Sequence, residues 1–247
     1  MAKTKRLITI LAGRLFFGVA YTQTRISDPP HVRAAKSKCS SAARQRVNLR
    51  RAWQKLMLLL ACNFGSKDLV VTLTYDDAHL PTGRKAANAC VAKYLVLLRR
   101  AFRQEGRELK YIYCTESRHE AGRWHHHLVI PACAFETVRS LWGFGSDIDI
   151  DTIDAWNYEG LAKYLTKEAR EPGAPVGARS WSCSRNLQHP VRQSELVEEW
   201  VSLAPPPGAS VLDRDSKTNE FGSYEYLCCL MPVADSAPRH TRPPRRS

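Results

Sequence analysis

The run RWHHHLVI at residues 123–130 is the feature that most constrains the fold. Its bulky and β-branched residues favour a β-strand, and Pro131 ends the run. Side chains alternate between the two faces of a strand, so His125 and His127 project from one face and His126 from the other. Residues two apart on a strand are separated by about 6–7 Å, and two imidazoles at that spacing can bind one metal ion. The run therefore predicts a strand that carries a metal site on one face.

The preceding segment YIYCTE, residues 111–116, is predicted to be the antiparallel partner of this strand, because the connection at 117–123 is short. Glu116 would then lie near His125 across the strand pair. Two imidazoles and one carboxylate form a site with open coordination positions, which suits a divalent ion that must also bind a substrate oxygen. His126, on the other face, is expected to pack in the interior or to face phosphate.

The central part of the chain predicts strands separated by helices. Helices are expected at 42–63, 86–104, 135–142 and 155–169, and further strands at 69–75 and 146–150. This order predicts an α+β fold, with a mainly antiparallel central sheet and helices packed on one face. After residue 173 the composition changes to Gly, Pro and Ser with few periodic runs, and the basic tail is expected to be disordered.

The charge of the chain indicates a polyanionic partner. The 247 residues contain 37 Lys and Arg against 24 Asp and Glu, a formal net charge of +13, which favours nucleic acid or an anionic membrane surface. No apolar run approaches the roughly 18 residues of a membrane-spanning helix. Arg46, Arg50 and Arg51 lie on the polar side of the first predicted helix and are candidates for contacting phosphate, although a solvated face explains them equally well.

Cysteine spacing and the N-terminal segment indicate in which cellular compartment the protein is expected. The eight cysteines are scattered and form no CxxC pair, which is typical of a reducing cytoplasm, while a structural zinc at Cys114, His119 or Cys133 remains an alternative. The segment KTKRLITILAGRLFFGVA imitates an export signal. Arg14 interrupts its apolar body and no clear cleavage site follows, so we expect a strand there instead.

Two further segments carry candidate chemistry. In AKYLTKE, Tyr164 and Lys167 are three residues apart on a predicted helix and share a face. A phenol has an ordinary pKa of about 10, so a metal or nearby cation is needed to favour the nucleophilic phenolate. A buried tyrosine with a covering lysine stem is the alternative. In TLTY, residues 72–75, Thr72 and Thr74 point to one face of a predicted strand.

Taken in order, TLTY, the histidine strand and the YxxK helix resemble the HUH endonucleases, which include the rolling-circle replication initiators of phages and plasmids. The resemblance is closest to the group that contains the gene II proteins of filamentous phages. QRVNLRRAWQKLMLLLACNF is similar to the lead-in helix of that group, and LWGFGSDIDIDTIDAWNYEGLAKYLTKE to its approach to the tyrosine. RSWSCSRNLQHP, residues 179–190, looks like its post-catalytic segment. His126 departs from the bulky hydrophobic residue usual at its position.

This resemblance implies a function and a set of roles. His125, His127 and Glu116 would hold Mg²⁺ or Mn²⁺, which polarises the scissile phosphate of single-stranded origin DNA. Tyr164 would attack that phosphate, become linked to the 5′ phosphate and release a 3′ hydroxyl that primes synthesis. Lys167 would position or neutralise phosphate charge, and only one tyrosine lies in the motif. Thr72, Thr74, Lys163 and the arginines of the first helix are the candidates for DNA contact.

The resemblance also implies an HUH/RRM-like nuclease fold and a division of the chain. An N-terminal strand and extension is expected at 1–40, the endonuclease domain with its basic lead-in helix at 41–190, and a C-terminal extension at 191–247. No phosphate-binding G-x-x-x-x-G-K-[ST] loop occurs, so a host helicase and polymerase are the expected partners, in the cytoplasm of a bacterial host. A relaxase, a single-tyrosine transposase and a non-catalytic DNA-binding module are the alternatives.

Overall fold

The computed structural model describes residues 4–22, 42–117, 122–170, 180–220 and 222–232. In chain order its helices and strands are β1 (Thr4–Ala12), β2 (Leu15–Thr22), α1 (Ala42–Asn63), β3 (Leu69–Thr74), α2 (Arg84–Gln104), β4 (Ile112–Glu116), β5 (His125–Ile130), α3 (Phe135–Leu141), β6 (Ile148–Thr152), α4 (Tyr158–Leu165), α5 (Lys167–Arg170), β7 (Ser182–Cys183), β8 (Val191–Glu198), β9 (Ser210–Asn219) and β10 (Gly222–Leu230). None of these helices is long and apolar enough to span a membrane. His119 and the basic tail lie outside the described residues, so the expectation of a disordered tail stays a prediction.

A five-stranded sheet forms the centre of the unit that contains residues 42–190. Its strand order is β6-β3-β5-β4-β7, and every pairing in it is antiparallel. The histidine strand β5 lies in the middle, between β3 and β4. The expected α+β class with a mainly antiparallel central sheet is therefore confirmed.

Helices contact both faces of this sheet. Leu73 and Leu128 belong to a hydrophobic core that also contains Leu98 of α2. On the opposite face, the hydroxyl of Tyr164 in α4 lies 3.3 Å from each ring nitrogen of His127. The sequence predicted helices on one face of the sheet, whereas the helices pack on both faces. Each face of the sheet carries apolar or reactive side chains at alternate strand positions, so helices pack against both faces.

The helix expected at 155–169 is two helices. Asn157 caps the start of α4 by accepting a hydrogen bond from the backbone N–H of Gly160, at 2.8 Å. Thr166 separates α4 from α5, with φ of −117° and ψ of 14°, and its hydroxyl donates to the carbonyl of Ala162. The chain therefore turns between Tyr164 and Lys167, which is a detail that helical periodicity alone does not reveal.

The two ends of the chain form a second sheet, which we describe by itself. Its strand order is β8-β1-β2-β10-β9, again with antiparallel pairing throughout. Gly13, with φ of 55°, forms the tight turn between β1 and β2 in a left-handed conformation that favours glycine. Residues 4–22 and 191–232 thus pair with each other in one unit, whereas the sequence was divided into separate N-terminal and C-terminal extensions. The few periodic runs beyond residue 173 did not predict β8 and β9, because these strands are largely polar and exposed and lack the apolar alternation of a half-buried strand.

A partly buried ion pair joins β1 to β10 in this second sheet. The ammonium of Lys5 lies 2.8 Å from Oε1 of Glu225, and Lys5 is 7% exposed. The other carboxylate oxygen of Glu225 accepts the backbone N–H of Leu203 at 2.9 Å. Burial raises the pKa of Glu225, but Lys5 and this N–H outweigh burial and lower it below its ordinary value of 4.5.

We expect Glu225→Gln to lower the free energy of unfolding by roughly 2 kcal/mol at pH 7, less than for a fully buried pair because Glu225 keeps some solvent access. A depressed carboxyl pKa gives stability that is present above the unfolded pKa and is lost as pH falls through the folded pKa. The difference between the variant and the wild type should therefore shrink below about pH 4.5. Urea unfolding at pH 7 and pH 3 measures it, with Glu198→Gln as an exposed control, and an undiminished difference at pH 3 would contradict the ion pair.

Candidate metal and nucleophile site

Glu116, His125 and His127 converge on one point of the central sheet. Glu116 pairs with His125 across β4 and β5, and Cys114 pairs with His127, so these side chains share a face. Oε2 of Glu116 lies 3.4 Å from Nε2 of His125 and 3.4 Å from Nε2 of His127. One ligand atom from each of the three residues lies within 4.8 Å of the others, so the cluster could hold a metal ion.

The two imidazoles are oriented by partners on their other ring nitrogen. Nδ1 of His125 donates to the carbonyl of Arg123 at 3.2 Å, and Nδ1 of His127 lies 3.1 Å from the hydroxyl of Thr72. Both rings therefore direct Nε2 toward Glu116. Such outer contacts fix the tautomer and ring orientation of histidine ligands in metal sites.

The carboxylate of Glu116 is buried and can accept a further cation. Glu116 is 3% exposed, and among the described residues its Oε2 is the buried side-chain atom that makes no hydrogen bond, although Nζ of Lys167 lies 3.1 Å from it. A buried anionic oxygen is stabilised by positive charge close to it. The chemistry of the donor set, two imidazoles and one carboxylate, fits a divalent cation with open coordination positions.

The pKa values of these groups also suit the binding of a divalent cation. Burial raises the pKa of Glu116, but His125, His127 and Lys167 together lower it to about 2. Burial lowers the pKa of His127, against the opposing effect of Glu116. At neutral pH the carboxylate is thus ionised and His127 neutral, which are the protonation states that bind a metal ion.

Tyr164 and Lys167 complete the cluster. The ring of Tyr164 packs against that of His127 with centroids 4.6 Å apart, and Tyr164 is 42% exposed. Nζ of Lys167 lies 3.1 Å from Oε2 of Glu116 and 4.5 Å from the centroid of the Tyr164 ring. The turn at Thr166 thus places Lys167 between the carboxylate and the phenol.

The phenol is protonated in this arrangement. Burial raises the pKa of Tyr164, and the positive charge of Lys167 opposes that effect without cancelling it. Further positive charge near the hydroxyl is therefore needed before Tyr164 becomes a strong nucleophile at neutral pH. A cation at the neighbouring cluster is the obvious source of that charge.

The residues predicted to contact DNA differ in whether they lie near the cluster. Thr72 contacts His127, and the hydroxyl of Thr74 donates to the carbonyl of Asp147. Lys163 pairs with Glu159 and lies 5.2 Å from the centroid of the Trp53 ring. Arg50 and Arg51 are exposed on α1, and no contact within the described residues joins them to the cluster. The side chain of Arg46 lies outside the described residues.

An open cavity of about 510 Å³ lies directly over the cluster. Tyr164, Lys167 and His127 line it together with Arg123 and Trp124, and a second cavity of about 260 Å³ beside it shares Thr72 and Tyr164. Arg123 was not singled out from the sequence, since its position just before the histidine strand carries no signal of its own. Tyr164 thus borders both cavities.

His126 occupies the opposite face and is fully buried in a chain of polar contacts. Its Nε2 lies 2.7 Å from the hydroxyl of Tyr75, and its Nδ1 lies 2.9 Å from the hydroxyl of Thr115. Thr115 in turn donates to Oδ1 of Asn88 on α2, at 2.8 Å. Burial, together with His125 and His127, lowers the pKa of His126 to about 3. A neutral His126 therefore links the strand of the ligands to α2.

Replacing His126 by leucine should lower the free energy of unfolding by about 2–4 kcal/mol, because the hydroxyls of Tyr75 and Thr115 lose a buried partner. Adding Tyr75→Phe should recover part of that loss, since removing both partners is less costly than removing one. Urea unfolding of the two single variants and the double variant measures the coupling. A cost below about 0.5 kcal/mol for His126→Leu, the size of an ordinary surface change, would contradict the role of this contact chain.

The part of the sequence that contains the cluster matches one known protein family. Residues 68–169 match the family model of the replication-associated proteins of the ORF2 and gene II protein type. The match covers less than half of the chain, and it contains the three cluster residues as well as Tyr164 and Lys167. It supports a role in replication initiation and an enzyme of the nuclease or strand-transferase kind that acts on DNA. No curated protein and no solved structure matches the chain.

The structure brings the predicted ligands and the predicted nucleophile into one site. The short connection at 117–123 predicted Glu116 near His125, and the strand register places it there. Among the described residues, Cys114 and Cys133 belong to no other group of side chains suited to a metal ion. Because His119 lies outside the described residues, the alternative of a structural zinc at Cys114, His119 or Cys133 is not tested.

Proposed function

We propose that the protein is an HUH-type endonuclease that nicks single-stranded DNA at a replication origin and later rejoins the strand, with Tyr164 as the nucleophile. One observation carries this proposal: the Tyr164 hydroxyl lies 3.3 Å from His127, at a cluster suited to a divalent cation. The match to a replication-associated family supports it. Rolling-circle replication is the process that such a reaction would start, as in the filamentous-phage group that the chain resembles.

The proposed reaction uses the phenol as its nucleophile. The oxygen of Tyr164 attacks the phosphorus in line with the bond to the 3′ oxygen. That bond breaks, the 3′ oxygen takes up a proton in place of the proton lost by the phenol, and the 5′ phosphate remains linked to Tyr164. Mg²⁺ or Mn²⁺ held by His125, His127 and Glu116 would supply Lewis-acid polarisation of the phosphate.

Lys167 contributes a fixed positive charge beside the phenol. Burial lowers the pKa of Lys167, but Glu116 outweighs burial and raises it above its ordinary value. The ammonium therefore stays charged at neutral pH, where it favours the ionised form of Tyr164 and offsets the charge of the phosphate.

The site supports a single-tyrosine mechanism. Tyr158 lies on the same helix as Tyr164, but it is buried and its hydroxyl donates to the backbone carbonyl of Phe64 at 2.7 Å. Tyr158 is thus unsuited to attack DNA. The phosphotyrosyl bond keeps the energy of the cleaved bond, so a later 3′ hydroxyl can attack it, release Tyr164 and reseal the strand.

The substrate would reach the site as a single strand. Host helicase and polymerase would open the duplex and extend the 3′ hydroxyl, since the chain has no phosphate-binding loop of an ATPase. Arg46, Arg50, Arg51 and Lys163 remain candidates for contacting the DNA backbone, and Thr72 would act on the site through His127. In this proposal the protein works in the cytoplasm of a bacterial host.

Incubation with a pool of single-stranded oligonucleotides of random sequence tests the proposal without knowledge of the origin. We expect a protein–DNA adduct on a denaturing gel in the presence of Mn²⁺, and none when a chelator is added. Sequencing of the linked DNA then defines the cleavage site. A complete lack of adduct with Mn²⁺ and with Mg²⁺ would instead favour a non-catalytic DNA-binding module.

A further inference from the structure

We propose that a second, arginine-lined pocket of the same unit binds the phosphodiester backbone of single-stranded DNA. The pocket has a volume of about 420 Å³ and lies where the end of α2, the start of β4 and the segment after β7 meet. It shares no lining residue with the two cavities beside the metal cluster. The inference rests on the proposed function, since it takes single-stranded DNA as the ligand.

Three guanidinium groups line this pocket. Arg99 and Arg103 are one turn apart on α2, and Arg185 follows β7. None of the three takes part in an ion pair within the described residues. Glu108 is the acidic residue of the lining, and one of its oxygens accepts a hydrogen bond from the side chain of Asn186 at 3.3 Å. Three positive charges against one negative charge favour an anion, and guanidinium groups match phosphate oxygens in geometry.

An aromatic ring beside these charges points to nucleic acid. Tyr111 lines the pocket, is half-buried and packs against the hydrophobic core of the sheet, so its ring is held in place. Its backbone is fixed as well, because it exchanges hydrogen bonds with Ser184 at 3.1 and 2.9 Å. A cationic groove combined with an aromatic ring is the arrangement that binds single strands, by backbone contact and base stacking.

One DNA strand would reach both the pocket and the metal cluster by passing around the edge of the central sheet. Tyr111 immediately precedes β4 and Glu116 ends it, about 16 Å apart along the backbone at the rise of an extended strand. Tyr111 packs against the core that contains α2, whereas Glu116 faces the histidine ligands, so the two side chains lie on opposite faces. The path of the DNA is therefore longer than this distance, and it would run past β7, the two-residue edge strand of the central sheet. Residues 183–186, which have no part in the proposed chemistry, thereby gain a role.

Salt-dependent binding of a fluorescent twenty-residue oligothymidylate tests this pocket. We expect the variant Arg99→Gln, Arg103→Gln, Arg185→Gln to bind at least about tenfold more weakly than the wild type, with a slope of log K against log salt that is smaller by about 2. The matched control Arg100→Gln, Arg139→Gln, Arg192→Gln removes the same charge from exposed positions outside the pocket. If the pocket variant behaves like this control, the inference is overturned.

Three further variants keep the test independent of folding. Arg185→Gln alone changes one exposed side chain and should still reduce the slope by about 0.7. Tyr111→Leu should weaken binding about tenfold by loss of stacking, while Tyr111→Phe should bind like the wild type. Equal binding by the leucine and phenylalanine variants would exclude stacking at Tyr111 and contradict the proposed ligand.

The outcome separates this inference from the proposed function. An adduct at Tyr164 together with normal binding by the pocket variants would contradict the proposed DNA-binding pocket and leave the proposed nicking reaction supported. Conversely, weakened oligothymidylate binding by the pocket variants, without an adduct from any pool of oligonucleotides, would support the pocket and contradict the proposed nicking reaction.

Discussion

Tyr164→Phe should abolish the covalent protein–DNA adduct, with a loss of at least about 10⁴-fold in the rate of its formation. The substitution removes the one oxygen that forms the bond to phosphorus and leaves the ring in place against His127. Binding of the same oligonucleotide should stay within about fivefold of the wild type, the effect of one lost hydrogen bond. Single-turnover cleavage on denaturing gels and fluorescence anisotropy measure the two quantities.

Tyr158→Phe is the matched control, because it makes the same chemical change on the same helix. Its hydroxyl donates to the carbonyl of Phe64 and lies in the interior. We expect this variant to lose some stability, about 1 kcal/mol for one hydrogen bond, and to keep adduct formation. An adduct that persists in Tyr164→Phe would remove Tyr164 as the nucleophile.

Loss of the ligands should remove metal binding together with cleavage. The double variant His125→Ala, His127→Ala and the single variant Glu116→Gln should each bind Mn²⁺ at least about 100-fold more weakly than the wild type, because loss of a direct ligand exceeds the 10- to 100-fold effect of an outer partner. Calorimetric titration with Mn²⁺ measures this directly. Removal of the metal by a chelator should stop adduct formation, and added Mn²⁺ should restore it.

The double variant His79→Ala, His189→Ala is the control for the number of histidines. Both of these side chains are exposed and lie outside the cluster. Their loss should leave the affinity for Mn²⁺ unchanged. Undiminished Mn²⁺ binding by the His125 and His127 double variant would show that the ion binds elsewhere.

Most of the central unit could be predicted from local patterns in the sequence. The alternation of residues 125–130 fixed which histidines share a face, and the short connection from 117 to 123 fixed the partner strand. Together they determine the register that brings Glu116 to His125. Tyr164 and Lys167 also come together, but across the turn at Thr166 and not through the spacing of one continuous helix. These inferences succeeded because each depends on contacts between residues close in sequence.

The second sheet could not be predicted in the same way. β1 pairs with β8, and β2 with β10, across almost the whole length of the chain. Pairing between such distant segments leaves no local periodic signal when the strands are polar and exposed, as β8 and β9 are.

Within the site, the sequence was silent on the contacts that orient the ligands. The hydroxyl of Thr72, whose contact with DNA stays a prediction, lies against Nδ1 of His127. The polar ring of His126 is accommodated in the core because Tyr75 and Thr115 satisfy both of its nitrogens there. A buried polar network depends on three-dimensional neighbours, so residue type alone does not reveal it.

Mapping the DNA-linked residue tests the central claim most directly. Wild-type protein is incubated with single-stranded oligonucleotides and Mn²⁺, digested with protease and nuclease, and the nucleotide-linked peptide is sequenced by mass spectrometry. The account predicts a single modified peptide, from the AKYLTKE segment, with the phosphate on Tyr164. A phosphate on any other residue, or cleavage without a linked peptide, would contradict it.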